Sequence, residues 1–216
     1  KQAYVLFSER VTGAPVCPIV EKPVPQGNVP GEWYSPTQPI PSKPPAFDQQ
    51  GVTENDLIDF TPELKAEAKK IVSEYKWGPL YTPPVLLGSP DGPKGTLLVP
   101  GTNGGADWGG AAFDPETGIL YVPSAHMPTV VALGKSQHPE STLPYVKQQV
   151  PWALGPQGLP DPFKPPYSRL VAIDLNKGDI LWSVANGDGI RNHPAFKGLN
   201  LPPVGTPGRN AALVTK

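Results

Sequence analysis

The stretch Ala172-Ile-Asp174-Leu-Asn-Lys-Gly178-Asp-Ile-Leu-Trp182 decides the fold. Its skeleton is Ala-x-Asp-x-x-x-Gly-x-x-x-Trp, which reads as a strand ending at Ala172, a tight turn, and a return strand ending in Trp182. Asp174 suits such a turn because its carboxylate accepts nearby backbone N–H groups, and Gly178 supplies the positive φ the turn requires. Two weaker copies precede it. Ala112-x-Asp114-x-x-x-Gly118-x-x-x-Val122 keeps three of the four positions, and Phe7-x-Glu9-x-x-x-Gly13-x-x-x-Cys17 keeps a glycine and an acidic residue. The glycines stand 105 and then 60 residues apart. A unit of roughly 50 residues, once interrupted by an insertion, accounts for both gaps and is the signature of propeller blades.

Composition agrees with turn-rich β structure. The 216 residues include 32 prolines and 23 glycines, yet the prolines sit among aromatic and β-branched residues and no run is simple. Disorder is the alternative reading for residues 21–50. Lys plus Arg is 18 and Asp plus Glu is 19, a net charge of −1, so no basic stripe collects phosphates and nucleic acid is not expected as a partner. No apolar run approaches the ~20 residues of a membrane span, and no leader of the signal-peptide kind is present. The chain opens on a strand-like run, Tyr4 to Phe7, without a start methionine, as a mature fragment or an excised piece would. Cys17 is the only cysteine, which rules out an internal disulfide and Cys-x-x-Cys metal or haem sites and reads as a buried apolar residue.

Five segments follow: a blade hairpin over 1–20, a Pro-rich insertion over 21–95, a blade over 96–125, a long irregular loop over 126–166, and a blade over 167–216. Within the insertion, prolines break both helix and central strand. Thr53 with Asp56 three residues on forms a capping box, and Thr61-Pro62 opens a helix predicted over about 62–76. Its apolar face is Leu64, Ala68, Ile71, Val72 and Tyr75, and Gly78-Pro79 ends it. The loop over 126–166 shows neither helical nor strand period, and ordered loops of that length are usually functional or cover something.

Other constellations are poor. His126, His138 and His193 are too far apart for a helical metal pair and read as loop residues. The glycine pairs around Asp107 open no helix, so they are no phosphate loop, and no Gly-x-Ser-x-Gly elbow occurs. Nothing places Glu21, Glu32 and Asp48 together as paired carboxylates.

The skeleton ending at Trp182 resembles the tryptophan-docking motif of the quinoprotein dehydrogenases, in which that tryptophan packs between blades of an eight-bladed propeller. Gly104-Gly-Ala-Asp-Trp-Gly-Gly110, running into FDPETGILYVPS, is similar to the family's WGG stretch beside the quinone. The words EKPVPQG, SPTQP, YTPP and GTLLVPG, in this order, look like the membrane-type glucose, polyol and quinate branch. The resemblance runs from Lys1 to Lys216. The implied fold is mainly β: about three blades of an eight-bladed propeller, with a Pro-rich, partly helical insertion lying across it.

The resemblance also implies roles. Lys1 falls on the lysine that bonds the oxygens of pyrroloquinoline quinone (PQQ), where a cation steadies developing negative charge; otherwise it is a solvated terminus. Asp107 takes the place of an acidic or amide residue contacting the cofactor, or merely starts a turn between Gly105 and Gly109. Trp108 lines the cofactor pocket or fills a blade interface. Pro123 stands where relatives carry an asparagine near the quinone. Ala172, Asp174, Gly178 and Trp182 are the docking motif itself. The family's catalytic base and its metal-binding residues lie upstream of Lys1, so no catalytic or metal residue is expected in this chain.

The implied reaction is oxidation of a sugar or polyol hydroxyl, with PQQ and a divalent cation, Ca or Mg, as cofactors and ubiquinone or a cytochrome as electron acceptor. The implied location is periplasmic or facing the periplasm, and membrane-associated. The isolated chain is expected to be inactive and to self-associate through open blade edges. Two other readings stand: a non-catalytic propeller scaffold or interaction fragment, and the alcohol-oxidising branch of the same family.

Overall fold

The structure is a computed structural model; it describes residues 2–88, 92–151 and 154–216. All three acidic-to-glycine spacings fold into the same turn. Glu9, Asp114 and Asp174 each accept the backbone N–H of Gly13, Gly118 or Gly178 through their own carbonyl, at 2.8 to 2.9 Å, and each of those glycines has positive φ. The carboxylates close the turns from the other side: Glu9 accepts from the N–H of Val11 and Thr12, Asp114 from Glu116, and Asp174 from Asn176 and Lys177. The weakest copy of the repeat is therefore the same device as the strongest.

The described residues hold ten strands and one α-helix, and two of the three turns join strands of one sheet. β5 (Ala112–Asp114), β6 (Ile119–Ala125), β9 (Ser168–Asp174) and β10 (Asp179–Ala185) form one four-stranded antiparallel sheet in the order β10-β9-β6-β5. This corrects the expected division. The two hairpins assigned to separate blades, over 96–125 and 167–216, pair along β6 and β9 from Ile119↔Asp174 to Ala125↔Ser168 and make a single blade. The pairing brings the two turn tips together, with Leu175 N–H donating to the Gly118 carbonyl at 3.0 Å. The Ala172–Trp182 skeleton sits at the blade's rim, with Ala172 opposite Trp182. Trp182 is 40% exposed and meets Tyr121 at 5.9 Å between ring centroids.

The excursion between β6 and β9 is not irregular throughout. It contains β7 (Thr129–Lys135) and β8 (Tyr145–Gln149), which pair antiparallel. β7 also carries β4 (Thr96–Leu98) and β3 (Val85–Leu86) on its other edge, so Thr96–Leu98 belongs to this second sheet and not to the blade that follows it. Thr129-Val-Val-Ala-Leu is a β-branched apolar run, whose signal the surrounding prolines mask.

Prolines likewise do not stop the insertion from pairing. β1 (Ile19–Pro23) and β2 (Thr37–Pro41) form a two-stranded ribbon in which each strand has a free outer edge, where a missing N–H breaks no ladder. The run Tyr4 to Phe7 forms no strand: Phe7 accepts the Val16 N–H at 3.0 Å, and the next residue makes the bridge Ser8↔Pro15. The helix α1 (Pro62–Val72) is shorter than expected and stops at Ser73. Thr61 caps it by accepting the Leu64 N–H at 3.3 Å, and the Thr53–Asp56 capping box is present. Of the expected face, Leu64, Ala68, Val72 and Tyr75 are buried and Ile71 is half-buried. Through Ala68 and Val72 the helix joins Leu57, Leu97, Val130 and Phe163 in one apolar cluster, which fastens the insertion to the second sheet. Cys17 is free and only half-buried, not a core residue. Among the described residues no helix is long and apolar enough to cross a membrane.

Candidate functional site

The segment from Gly104 to Gly110 leaves the second sheet and enters the blade as a tight turn. Gly110 N–H donates to the Asp107 carbonyl at 3.0 Å, and the Asp107 carboxylate accepts the Trp108 N–H at 2.8 Å. The other carboxylate oxygen of Asp107 lies 3.7 Å from Arg209 Nε, an open pair at the surface. Trp108 is 80% exposed, its indole presented outward by the turn. Asp107 and Trp108 are thus neighbours on one projecting turn, and Asp107 does also hold that turn together. Lys1, the third residue expected at the cofactor, lies outside the described residues. Its neighbours are tied in: Gln2 accepts from the Gln50 side chain at 2.8 Å, and Ala3 accepts the Phe47 N–H at 2.9 Å.

Beside this turn is a shallow crevice lined by Asn103, Asp107, Pro123, Met127, Arg209 and Asn210. Pro123 is seated on β6 where that strand has a partner on one side only, since β5 pairs no further than Tyr121. A separate hollow of about 470 Å³, whose lining includes Gly101 and Thr102, is bounded by Gln2, by Tyr34 and Gln38, and by Tyr81 and Thr82. This volume is in the range of small-molecule sites. Its walls are mainly apolar, with neutral amide and hydroxyl groups. Tyr81 holds a left-handed φ of 68° there, a strained backbone of the kind that collects at functional sites.

Behind the turn lies a buried polar cluster that the sequence did not reveal. The Asp48 side chain is 2% exposed, and its carboxylate accepts the hydroxyl hydrogen of Ser124. Arg169 Nη2 lies 3.5 Å from it and His126 Nδ1 4.0 Å. Burial opposes the Asp48 charge, but His126, Arg169 and Ser124 together hold the carboxyl below its ordinary value. Asp161, also buried, shows the opposite balance: desolvation pushes it up although His126 pulls it down. Tyr167 is raised by burial and then by the Asp161 charge. His126, read as an ordinary loop residue, is buried against Phe163, and its Nε2 has no hydrogen-bond partner among the described residues. Glu21 and Glu32, by contrast, are exposed and share nothing with Asp48. Residues 48, 124, 126, 161 and 169 have no spacing that a sequence pattern could register.

Among the described residues no group of three or more His, Cys, Asp or Glu side chains is arranged to hold a metal ion. The projecting turn does fit one edge of a planar, carboxylate-bearing group. It offers an uncovered indole face for stacking and the Arg209 guanidinium for an anionic substituent.

Comparison with known proteins agrees with this architecture. The family model for the PQQ glucose/ethanol/alcohol dehydrogenase β-propeller domain matches residues 1–216. The chain is similar to the quinate/shikimate dehydrogenase (quinone) of Acinetobacter baylyi, with 28% identity over 100% of this chain and 28% of that protein. It is 30% identical to the glycerol dehydrogenase large subunit of Gluconobacter thailandicus, over 99% of this chain and 32% of that protein. The quinoprotein glucose dehydrogenase of Gluconobacter oxydans is 27% identical over 100% of this chain and 29% of its own length. The chain thus spans less than a third of the curated relatives it matches. No solved structure matches. With its acidic-glycine turns, its four-stranded blade and the whole-length match, this chain belongs to the β-propeller domain family of the PQQ-dependent glucose, ethanol and alcohol dehydrogenases.

Proposed function

We propose that this chain is part of a PQQ-dependent dehydrogenase that oxidises a hydroxyl of a sugar or polyol, and that it supplies one edge of the cofactor pocket and a wall of the substrate entrance. The observation that carries this is the projecting turn, where Trp108 stands uncovered beside Asp107 and Arg209. Bound there, PQQ would supply the two-electron acceptor for the substrate's C–H hydrogen. Trp108 would stack on its ring, Asp107 would orient it through a polar contact, and Lys1 would set a positive charge near a quinone oxygen. The neutral amides and aromatic rings of the 470 Å³ hollow suit a polyhydroxylated, uncharged substrate.

Sugar and polyol chemistry is favoured over simple alcohols because the relatives bear the names of quinate, glycerol and glucose dehydrogenases. On this reading the base that takes the hydroxyl proton and the ligands of the divalent cation, calcium or magnesium, come from sequence upstream of Lys1. Electrons pass to ubiquinone or a cytochrome, on the periplasmic side of a membrane.

The test uses the complete reading frame around these residues, reconstituted with PQQ and calcium and assayed by dye reduction with glucose, glycerol, quinate and ethanol. PQQ-dependent reduction with a polyhydroxylated substrate is expected. Absence of it with all of them overturns the reading, and preference for ethanol moves the protein to the alcohol branch. The 216-residue chain alone should neither bind PQQ tightly nor turn over sugar.

A further inference from the structure

We infer that Asp48, acting through Ser124, is a positioning residue for the cofactor-facing edge: it locks the Asp107–Trp108 turn to residues 2 and 3. The inference rests on the PQQ reading for its functional meaning, but its geometry stands by itself.

Three separate stretches of sequence meet on the bare face of Gly105, two residues before Asp107. A Cβ added there would lie 3.0 Å from Asp48 Oδ2, 3.1 Å from Ser124 Oγ and 3.2 Å from Ala3 Cβ. The Ser124 hydroxyl has one hydrogen and faces two acceptors, the Asp48 carboxylate and the Gly105 carbonyl at 3.0 Å. Gly105 has a second anchor in the Ala125 N–H, which reaches the same carbonyl at 2.7 Å. The blade thus grips the turn at its root, and Asp48 grips the blade.

The same short stretch also holds the other side. Phe47 N–H donates to the Ala3 carbonyl at 2.9 Å, and the Gln50 amide to the Gln2 carbonyl at 2.8 Å. Ala3 is buried and left-handed, with φ of 60°, and these two bonds hold residues 2 and 3 in that course. Residues 47–50 are therefore a bracket with residues 2 and 3 on one arm and the Trp108 turn on the other.

Burying a carboxylate beside Arg169 and His126 is a poor way to gain stability, because the desolvation of ionic groups offsets most of their attraction. It is a good way to fix a position, because moving the buried carboxylate off these partners leaves its charge uncompensated. Nothing in the proposed chemistry uses Asp48 directly, and its place behind Gly105 keeps it off the exposed face of the turn.

The experiment compares wild type, Ser124→Ala and Asp48→Asn in the complete reading frame. Amide hydrogen exchange without PQQ is followed by PQQ titration in the presence of calcium. Ser124→Ala removes the bridge while leaving Arg169 its counter-charge. It should speed exchange in residues 103–110 and 2–5 while the β9–β10 hairpin stays protected, and weaken PQQ about tenfold. Asp48→Asn should do the same more strongly. Unchanged exchange in residues 103–110 in both variants overturns the inference, and so does exchange raised equally throughout the blade. Wild type that fails to bind PQQ defeats the functional reading alone, since exchange still decides whether Asp48 positions the turn.

Discussion

Gly118 and Asn176 interlock: a Cβ on Gly118 would overlap the Asn176 side-chain nitrogen, which itself lies 3.4 Å from the Thr117 carbonyl. One turn tip of the blade therefore sits in the hollow that a missing side chain leaves in the other. Gly118 also has φ of 74°, a region where an L-residue is strained. Gly118→Ala should lower stability by about 1–3 kcal/mol, read from urea unfolding midpoints. Asn176→Ala should be milder, at about 1 kcal/mol or less. Equal midpoints for Gly118→Ala and wild type would show that the tips do not interlock in solution.

Acid should loosen the blade turns in a defined order of sign. Backbone N–H groups of Val11 and Thr12 hold the Glu9 carboxyl below its ordinary value, and the Thr117 hydroxyl with the Glu116 N–H does the same for Asp114. Asp174 is lowered despite some burial, by Asn176 and Lys177 N–H. Groups lowered on folding contribute stability fully above the ordinary carboxylate value, roughly pH 4, and that share is lost as pH falls through the lowered folded values. Asp161 runs the other way. Its folded pKa is raised by burial, so its share is present at low pH and lost as pH rises through the raised value. Asp161→Asn should therefore raise the urea midpoint at pH 7 and leave it unchanged at pH 3; a lower midpoint at pH 7 would contradict this.

Phe163 joins the two excursions. It bridges Leu57, and the flanking backbone bonds run from Ile58 N–H to Pro162 and from Lys164 N–H to Asp56, each at 2.9 Å. Its ring is fully buried in the cluster that carries α1. Phe163→Ala should cost about 3–5 kcal/mol and expose the insertion to limited proteolysis before the β9–β10 hairpin is cut. Simultaneous cleavage of both would mean that the insertion is not separately fastened.

The outer edge of β10 pairs with nothing among the described residues, and Leu181, Trp182 and Val184 on it are exposed. The isolated chain should self-associate through this strand. Sedimentation across a range of concentrations should show it, and Val184→Lys should reduce it. A compact monomer at high concentration for wild type would count against the proposal.

What the sequence made legible is what lies close together in it. An acidic residue and a glycine four positions on specify a turn within five residues, so all three copies could be read, even Glu9 to Gly13 with little else kept. The helix cap at Thr61 and the buried face from Leu64 to Tyr75 follow from the same local logic. Strand pairing does not. Nothing near Ile119 or Asp174 says that they are opposite each other, and the spacing of Gly118 and Gly178 suggested two blades where one exists. The Asp48 cluster is hidden for the same reason: its members come from four stretches, and each looks ordinary in its own.

The course of the chain through the blade bears on how it forms. β5 and β6 are complete long before β9 exists, because the whole excursion over 126–167 intervenes. Joining them closes a long loop, a loss of chain entropy that no contact offsets until the ladder starts to zip. A growing chain thus carries β6 with one edge unclaimed until β9 follows, and the seam down the middle of the blade is the one pairing in it that no hairpin makes local.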